Sequence, residues 1–334
     1  MIYFVFLICF FTIILLIDIH TFSGDKTFSK NFLSKDYTNF LRAIAILFVV
    51  VSHVTGACGT RIGTPLGGIG VAIFLFLSGY GINESYKRNG RNFYWRKKII
   101  RVFIPYSIFI LILSTFSGKF DLTRYLLDIF CIRSSYWYVR FLALQYLLFF
   151  LSSFLSNRKR MFFLGVSSLI ILNNENQLCA EQSFSFMLGI LTSNFYTVIT
   201  SYNSKKLVIL GCLCLVIGLS ALAIKQVPDI RNTEFAILAN VVQLAIKLPI
   251  AIFCIILLQF IKYSTILKSR FMHLLGVMSF ELYLVHFPFY TKLHPDFMLI
   301  VIFLICSFAG AYVFFIFNNK MSKWLKNKIC IISH

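Results

Sequence analysis

An arginine and a histidine, Arg42 and His53, stand eleven positions apart, with the uncharged run AIAILFVVVS between them. On one helix, at about 100° per residue, eleven steps end about 20° past full turns, so both side chains share a face about 16 Å apart along the axis. An imidazole can take a proton from a hydroxyl near neutral pH. A guanidinium forms directed, charge-assisted bonds to anions. Ionisable groups at bilayer depth are costly, face the bundle interior and mark pathways or reaction centres. The plain alternative is a snorkelling arginine and a histidine bonded between helices. Taken with the segments described next, the pair reads as a reaction centre.

Other residues could join that chemistry. Glu281 and His286 lie in GVMSFELYLVHFPF. Glu281 has two readings, a carboxylate orienting His53 or an interhelical ion pair with Arg42 or Arg140. His286, beside Pro288, either contacts an acceptor or shapes a turn. The segment from Lys87 to Arg101 carries seven basic residues and ends at Pro105. Within it, Arg96, Lys98 and Arg101 of WRKKIIRVFIP either grip phosphates or attract the chain to anionic lipid. Tyr136, Trp137 and Tyr138 are expected at an outer interface, as an aromatic belt or a sugar-stacking platform. Trp137, Tyr138, Arg140 and His286 are the candidate acceptor-binding residues.

Composition sets the scaffold for these groups. Of 334 residues, 59% are hydrophobic and 13% charged, and mean hydropathy is +0.82, which implies an all-α, polytopic transmembrane bundle. The net charge of +20 falls in short connectors between apolar runs, a topology signal rather than a nucleic-acid footprint. The nine cysteines form no CxxC or Cys/His ligand pattern, so neither a disulfide framework nor a metal site is expected.

Apolar runs predict helices at about 39–57, 67–85, 102–118, 137–155, 161–175, 182–200, 207–224, 235–260, 272–290 and 297–317, each near bilayer length. A further apolar segment, 1–17, lacks the basic start of a signal peptide and reads as a retained helix or a later true start. The expected layout is 1–35 as amino-terminal helix and connector, 36–317 as the membrane domain and 318–334 as a basic tail. Placing 19–38 in the cytoplasm puts 22 of the 32 Lys and Arg residues inside, seven in the outer connectors and Arg42, Arg140 and Lys247 within spans. That asymmetry predicts a cytoplasmic carboxy terminus. Glycines 67, 68 and 70 and the run Ser78-Gly79-Tyr80 in the second span suit close helix approach.

FLRAIAILFVVVSH, FLFLSGY at 74–80, WRKKIIRVFIPY at 95–106, SYWYVRFLALQY at 135–146 and GVMSFELYLVHFPF at 276–289 together resemble the acyltransferase-3 family of bacterial membrane O-acyltransferases, in that family's order and across roughly residues 36 to 317. The resemblance implies ten core helices in the cytoplasmic membrane. It implies transfer of an acyl group, usually acetyl from cytoplasmic acetyl-CoA or another acyl-CoA, to a hydroxyl of a surface glycan or its lipid-linked precursor. It also implies that His53 is catalytic, as base or acyl carrier, that Arg42 supports it, and that the basic segment before Pro105 serves the coenzyme. The extra amino-terminal helix departs from the family core, and no hydrolase-type domain follows it. Two other classes compete: a glycan transporter or polymerase, for which internal repeats or a large outer loop are expected, and a scaffold, which has no need of buried Arg, His and Glu.

Overall fold

The computed structural model describes residues 32–332 except 61, 119, 261–268 and 291–295. The amino-terminal segment 1–31, including the expected helix at 1–17, lies outside the described residues. The rest is helical, with no strand among the described residues. The long helices are α1 (Lys35–Ala57), α2 (Thr64–Asn89), α3 (Tyr94–Phe116), α4 (Trp137–Ser152), α5 (Asn157–Asn174), α6 (Ser185–Asn194), α7 (Ser204–Ile224), α8 (Ala236–Leu257), α9 (Arg270–Val277), α10 (Ser279–Tyr290) and α11 (Phe297–Ile332).

Six of these stretches are long and apolar enough to cross a bilayer, namely α1, α2, α3, α7, α8 with its last turn, and α11. The pair α9 and α10, bent by 75°, passes the same test only when taken together. Each of the ten expected segments is helical, some of them in shorter pieces. α4 has only 16 residues, about 24 Å of helix. α5 opens on the polar run Asn157 to Arg160, and α6 stops after ten residues. α11 runs unbroken past residue 317.

The segment that leads into α4 packs beside α3. A helix at Leu122–Ile129 folds back beside α3: the Tyr125 hydroxyl donates to the Ser107 carbonyl at 3.4 Å, and the Tyr106 and Ser134 hydroxyls bond at 2.5 Å. Tyr136 and Tyr138 then fall in the core, 2% and 6% exposed. This corrects their expected place at an outer interface; Trp137 is half-buried, edge-on to Tyr138.

α1 and α2 form the centre. α2 packs on α1 and α6, α9 and α10 pack on α1, α7 pairs with α8, and α10 pairs with α11. The approach of α2 to α6 depends on two glycines, because a Cβ on Gly79 would stand 2.0 Å from the Phe186 carbonyl oxygen and one on Gly189 would stand 2.0 Å from that of Phe76. Backbones this close let dispersion do the work that water would otherwise do through the hydrophobic effect.

Candidate active site

α10, with Pro288 inside it, carries one half of the site. Pro288 lacks an N–H, so it leaves the Leu284 carbonyl without its helical donor. The Tyr136 hydroxyl fills that vacancy, donating to Leu284 O at 3.0 Å. At lipid depth a freed carbonyl needs such a partner. The same helix turns His286 inward. It is fully buried, and its Nδ1 sits 2.8 Å from the Leu282 carbonyl. A carbonyl only accepts, so Nδ1 carries the proton and Nε2 of the neutral ring is left as an acceptor.

His53, half-buried on α1, faces His286 with ring centroids 5.0 Å apart, and the Tyr290 ring of the same helix lies 4.2 Å from it. His53 Nδ1 and His286 Nε2 are buried and have no hydrogen-bond partner among the described residues. Two imidazoles that each keep an unpartnered buried nitrogen thus lie side by side, and such a nitrogen can take a proton from a hydroxyl. Tyr290 lies one residue beyond the motif in which His286 was noticed, and only the helical i, i+4 spacing from His286 could have suggested it.

The second half of the site surrounds Arg42. Its guanidinium lies within electrostatic reach of the Tyr138 and Tyr146 hydroxyls and of Arg101. Ser78 of α2 lies within hydrogen-bond reach of both tyrosines. Lys98 places its ammonium over the Tyr146 ring, 4.7 Å from the centroid, and over Tyr94 at 5.5 Å, a cation–π arrangement. Although protein groups surround Arg42, its side chain remains exposed, as does Arg101. Arg42 therefore lines an internal opening rather than packed core.

α3 shapes this cationic end with one wide turn. Pro105 cannot donate to the Arg101 carbonyl, and the Ile104 N–H instead reaches Ile99 O five residues back, so Arg101 sits in a π turn at Ile99–Phe103. Such turns recur at functional positions. Arg96, expected beside Lys98 and Arg101, goes elsewhere: its guanidinium stacks over Phe93 at 5.4 Å.

Arg42 and His53 occupy one unbroken helix, so the two ends of the site lie about 16 Å apart. Arg42 therefore stands at the far end of the site from His53. The expectation that Glu281 orients His53 or pairs with Arg42 or Arg140 is corrected. Glu281 Oε1 accepts from Asn318 Nδ2 of α11 at 3.2 Å; five residues before His286, it points to a different face of α10. Arg140 pairs with Glu175 at 3.4 Å, away from both Glu281 and the histidines. The remaining intramembrane lysine, Lys247, forms a buried ion pair with Glu181, which the sequence did not single out.

A family model described as an acyltransferase domain, Acyl_transf_3, matches residues 35–318. No curated protein and no solved structure matches the chain. With the helical bundle and the matched span covering both ends of the site, the chain belongs to the acyltransferase-3 family and is a membrane acyltransferase.

Proposed function

We propose that the protein moves an acyl group, acetyl foremost, from a coenzyme A thioester to a hydroxyl of a surface glycan or of its lipid-linked precursor. The observation that carries this is that His53, on the helix that also holds Arg42, faces His286 of α10, each with a buried nitrogen that has no partner among the described residues. Lys98, Arg101 and Arg42 suit the phosphates of the donor. An extended pantetheine arm is of the right order to bridge the distance from those cations to the histidines.

In this reading, His53 takes the acceptor's proton as the hydroxyl oxygen attacks the thioester carbonyl. The carbon–sulfur bond breaks, and the departing thiolate receives the proton held by the imidazole. His286, its tautomer fixed by Leu282, offers its Nε2 lone pair toward the same space and holds the acceptor hydroxyl or the His53 ring in line. Arg42 binds the donor rather than the reacting carbonyl.

The basic asymmetry of the connectors puts the donor end at the cytoplasm together with the carboxy terminus, in a cytoplasmic membrane. The test compares ester-linked acyl groups on surface polysaccharide from cells with and without the gene, and follows labelled acetyl-CoA with the purified protein. Loss of glycan esters with the gene supports the proposal. An unchanged ester content, with no donor consumed by the purified protein, overturns it.

A further inference from the structure

The chemistry above leaves one large cavity unused. It is a cleft of about 1030 Å³ between α3, α10 and α11, walled by apolar side chains such as Phe109, Leu113, Val285 and Phe314. α3 and α11 both qualify as membrane spans, so acyl chains suit this wall. Val285 and Phe287 of α10 line the cleft, while His286 between them faces His53. A molecule in the cleft therefore backs α10 from behind and takes no part in the reaction.

One end of the cleft is polar. Asp121, Arg124, Asp128 and Ser135 line it there, and the same four line an adjoining chamber of about 530 Å³ that adds Arg133 and Ser134. Two carboxylates and two guanidiniums share this space, yet no ion pair among the described residues includes any of them. Asp121 Oδ1 accepts from the Thr123 N–H at 2.8 Å. Asp128 is 8% exposed; the Tyr106 hydroxyl lies within hydrogen-bond reach of it, but its Oδ1 has no partner among the described residues. A carboxylate only accepts, and a buried one without a donor is costly. The chamber is thus completed by a cationic donor for Asp128 and an anion for the exposed arginines.

We propose that cleft and chamber together hold one resident phosphatidylethanolamine, its ammonium on Asp128, its phosphate near Arg124 and Arg133 and its acyl chains between α3, α10 and α11. Charge complementarity selects this head. Choline has no N–H to give, and a glycerol head has donors but no positive charge to offset the carboxylates. The lipid also steadies α10 through the chamber wall: the Tyr136 N–H donates to Ser134 Oγ at 2.9 Å, and the Tyr136 hydroxyl holds Leu284 O. The proposal is independent of the acyl-transfer reading, and binding is measured with no acyl donor present.

The probes are phosphatidylethanolamine, phosphatidylcholine and phosphatidylglycerol, each with a diazirine in one acyl chain. They are photolysed at subsaturating amounts against the full-length protein in phosphatidylcholine nanodiscs. The ethanolamine probe should label peptides of α3 and α11 well above the other two. Asp128→Asn should lower that labelling by about tenfold, the loss of one charge-assisted bond, and leave the choline probe unchanged. Val313, which lines the cleft and is 67% exposed, can take a larger side chain without a core clash. Val313→Trp should block the cleft and reduce labelling even if Asp128→Asn does not fold. Equal labelling by the choline or glycerol probe, or indifference to both variants, would overturn the proposal. So would full competition by soluble glycerophosphoethanolamine at the probe's concentration, because the head alone would then account for binding.

Discussion

His53 on α1 and His286 on α10 face each other at 5.0 Å between ring centroids, each with one ring nitrogen buried and unpartnered. A buried polar atom without a partner is costly, so a pair of them in one place marks a position held ready for a ligand or a transferred proton rather than for stability.

His53→Gln keeps the size and some hydrogen bonding of the side chain but cannot take a proton near neutral pH. Acyl transfer should fall by about 10² to 10⁴, the usual cost of losing a positioned general base, with thermal stability close to the parent. His286→Gln should also impair transfer. Near-parental rates for His53→Gln in a labelled-acetyl assay would end its assignment as base or carrier.

Arg42, Lys98 and Arg101 are the proposed donor-binding cations. Each alanine substitution should weaken coenzyme A binding by about 1.5–3 kcal/mol, the range for a charged hydrogen bond. Arg42→Lys should restore only part, because a point charge does not reproduce the guanidinium fork. Arg96→Ala should matter less, since Arg96 stacks on Phe93 outside the cluster. Calorimetry in detergent would decide, and an Arg96 effect as large as that of Arg101 would count against the cluster as drawn.

Tyr136 and Pro288 should be energetically coupled. Tyr136→Phe removes the donor to Leu284 O and should cost about 1–3 kcal/mol, the penalty for an unsatisfied buried acceptor. Pro288→Ala supplies a backbone N–H for the same carbonyl. The double variant should therefore lose less stability than the two single effects added together. Strict additivity in thermal denaturation would show that the Tyr136 hydroxyl has no such role.

Glu281→Gln keeps an acceptor for Asn318 and should leave the pH profile of transfer unchanged, while Glu281→Leu should destabilise the contact of α10 with α11. A shifted profile in Glu281→Gln would return the carboxylate to the histidine site.

A single cysteine at Lys323, exposed on α11, with the native cysteines replaced, tests orientation. In intact spheroplasts it should resist an impermeant thiol reagent and react after permeabilisation. Labelling before permeabilisation would invert the proposed topology.

Composition and apolar runs alone determined an all-helical membrane bundle, because the bilayer leaves an apolar chain few other ways to satisfy its backbone. Spacing alone put Arg42 and His53 on one face of one helix, since helical geometry is local. The order of motifs carried the family. What faces what was decided only in three dimensions. Nothing local tells that α10 would turn His286 toward His53 and Glu281 toward Asn318, because that depends on which helices pack on its two sides. The depth of Tyr138 was equally hidden: an aromatic after a polar loop reads as an interface residue, and only the fold-back of Leu122–Ile129 along α3 carries it inward to Arg42. Arg96, Lys98 and Arg101 look alike in sequence. The π turn ahead of Pro105 and the ring of Tyr146 separate them, because one wide turn changes the direction in which each following side chain points.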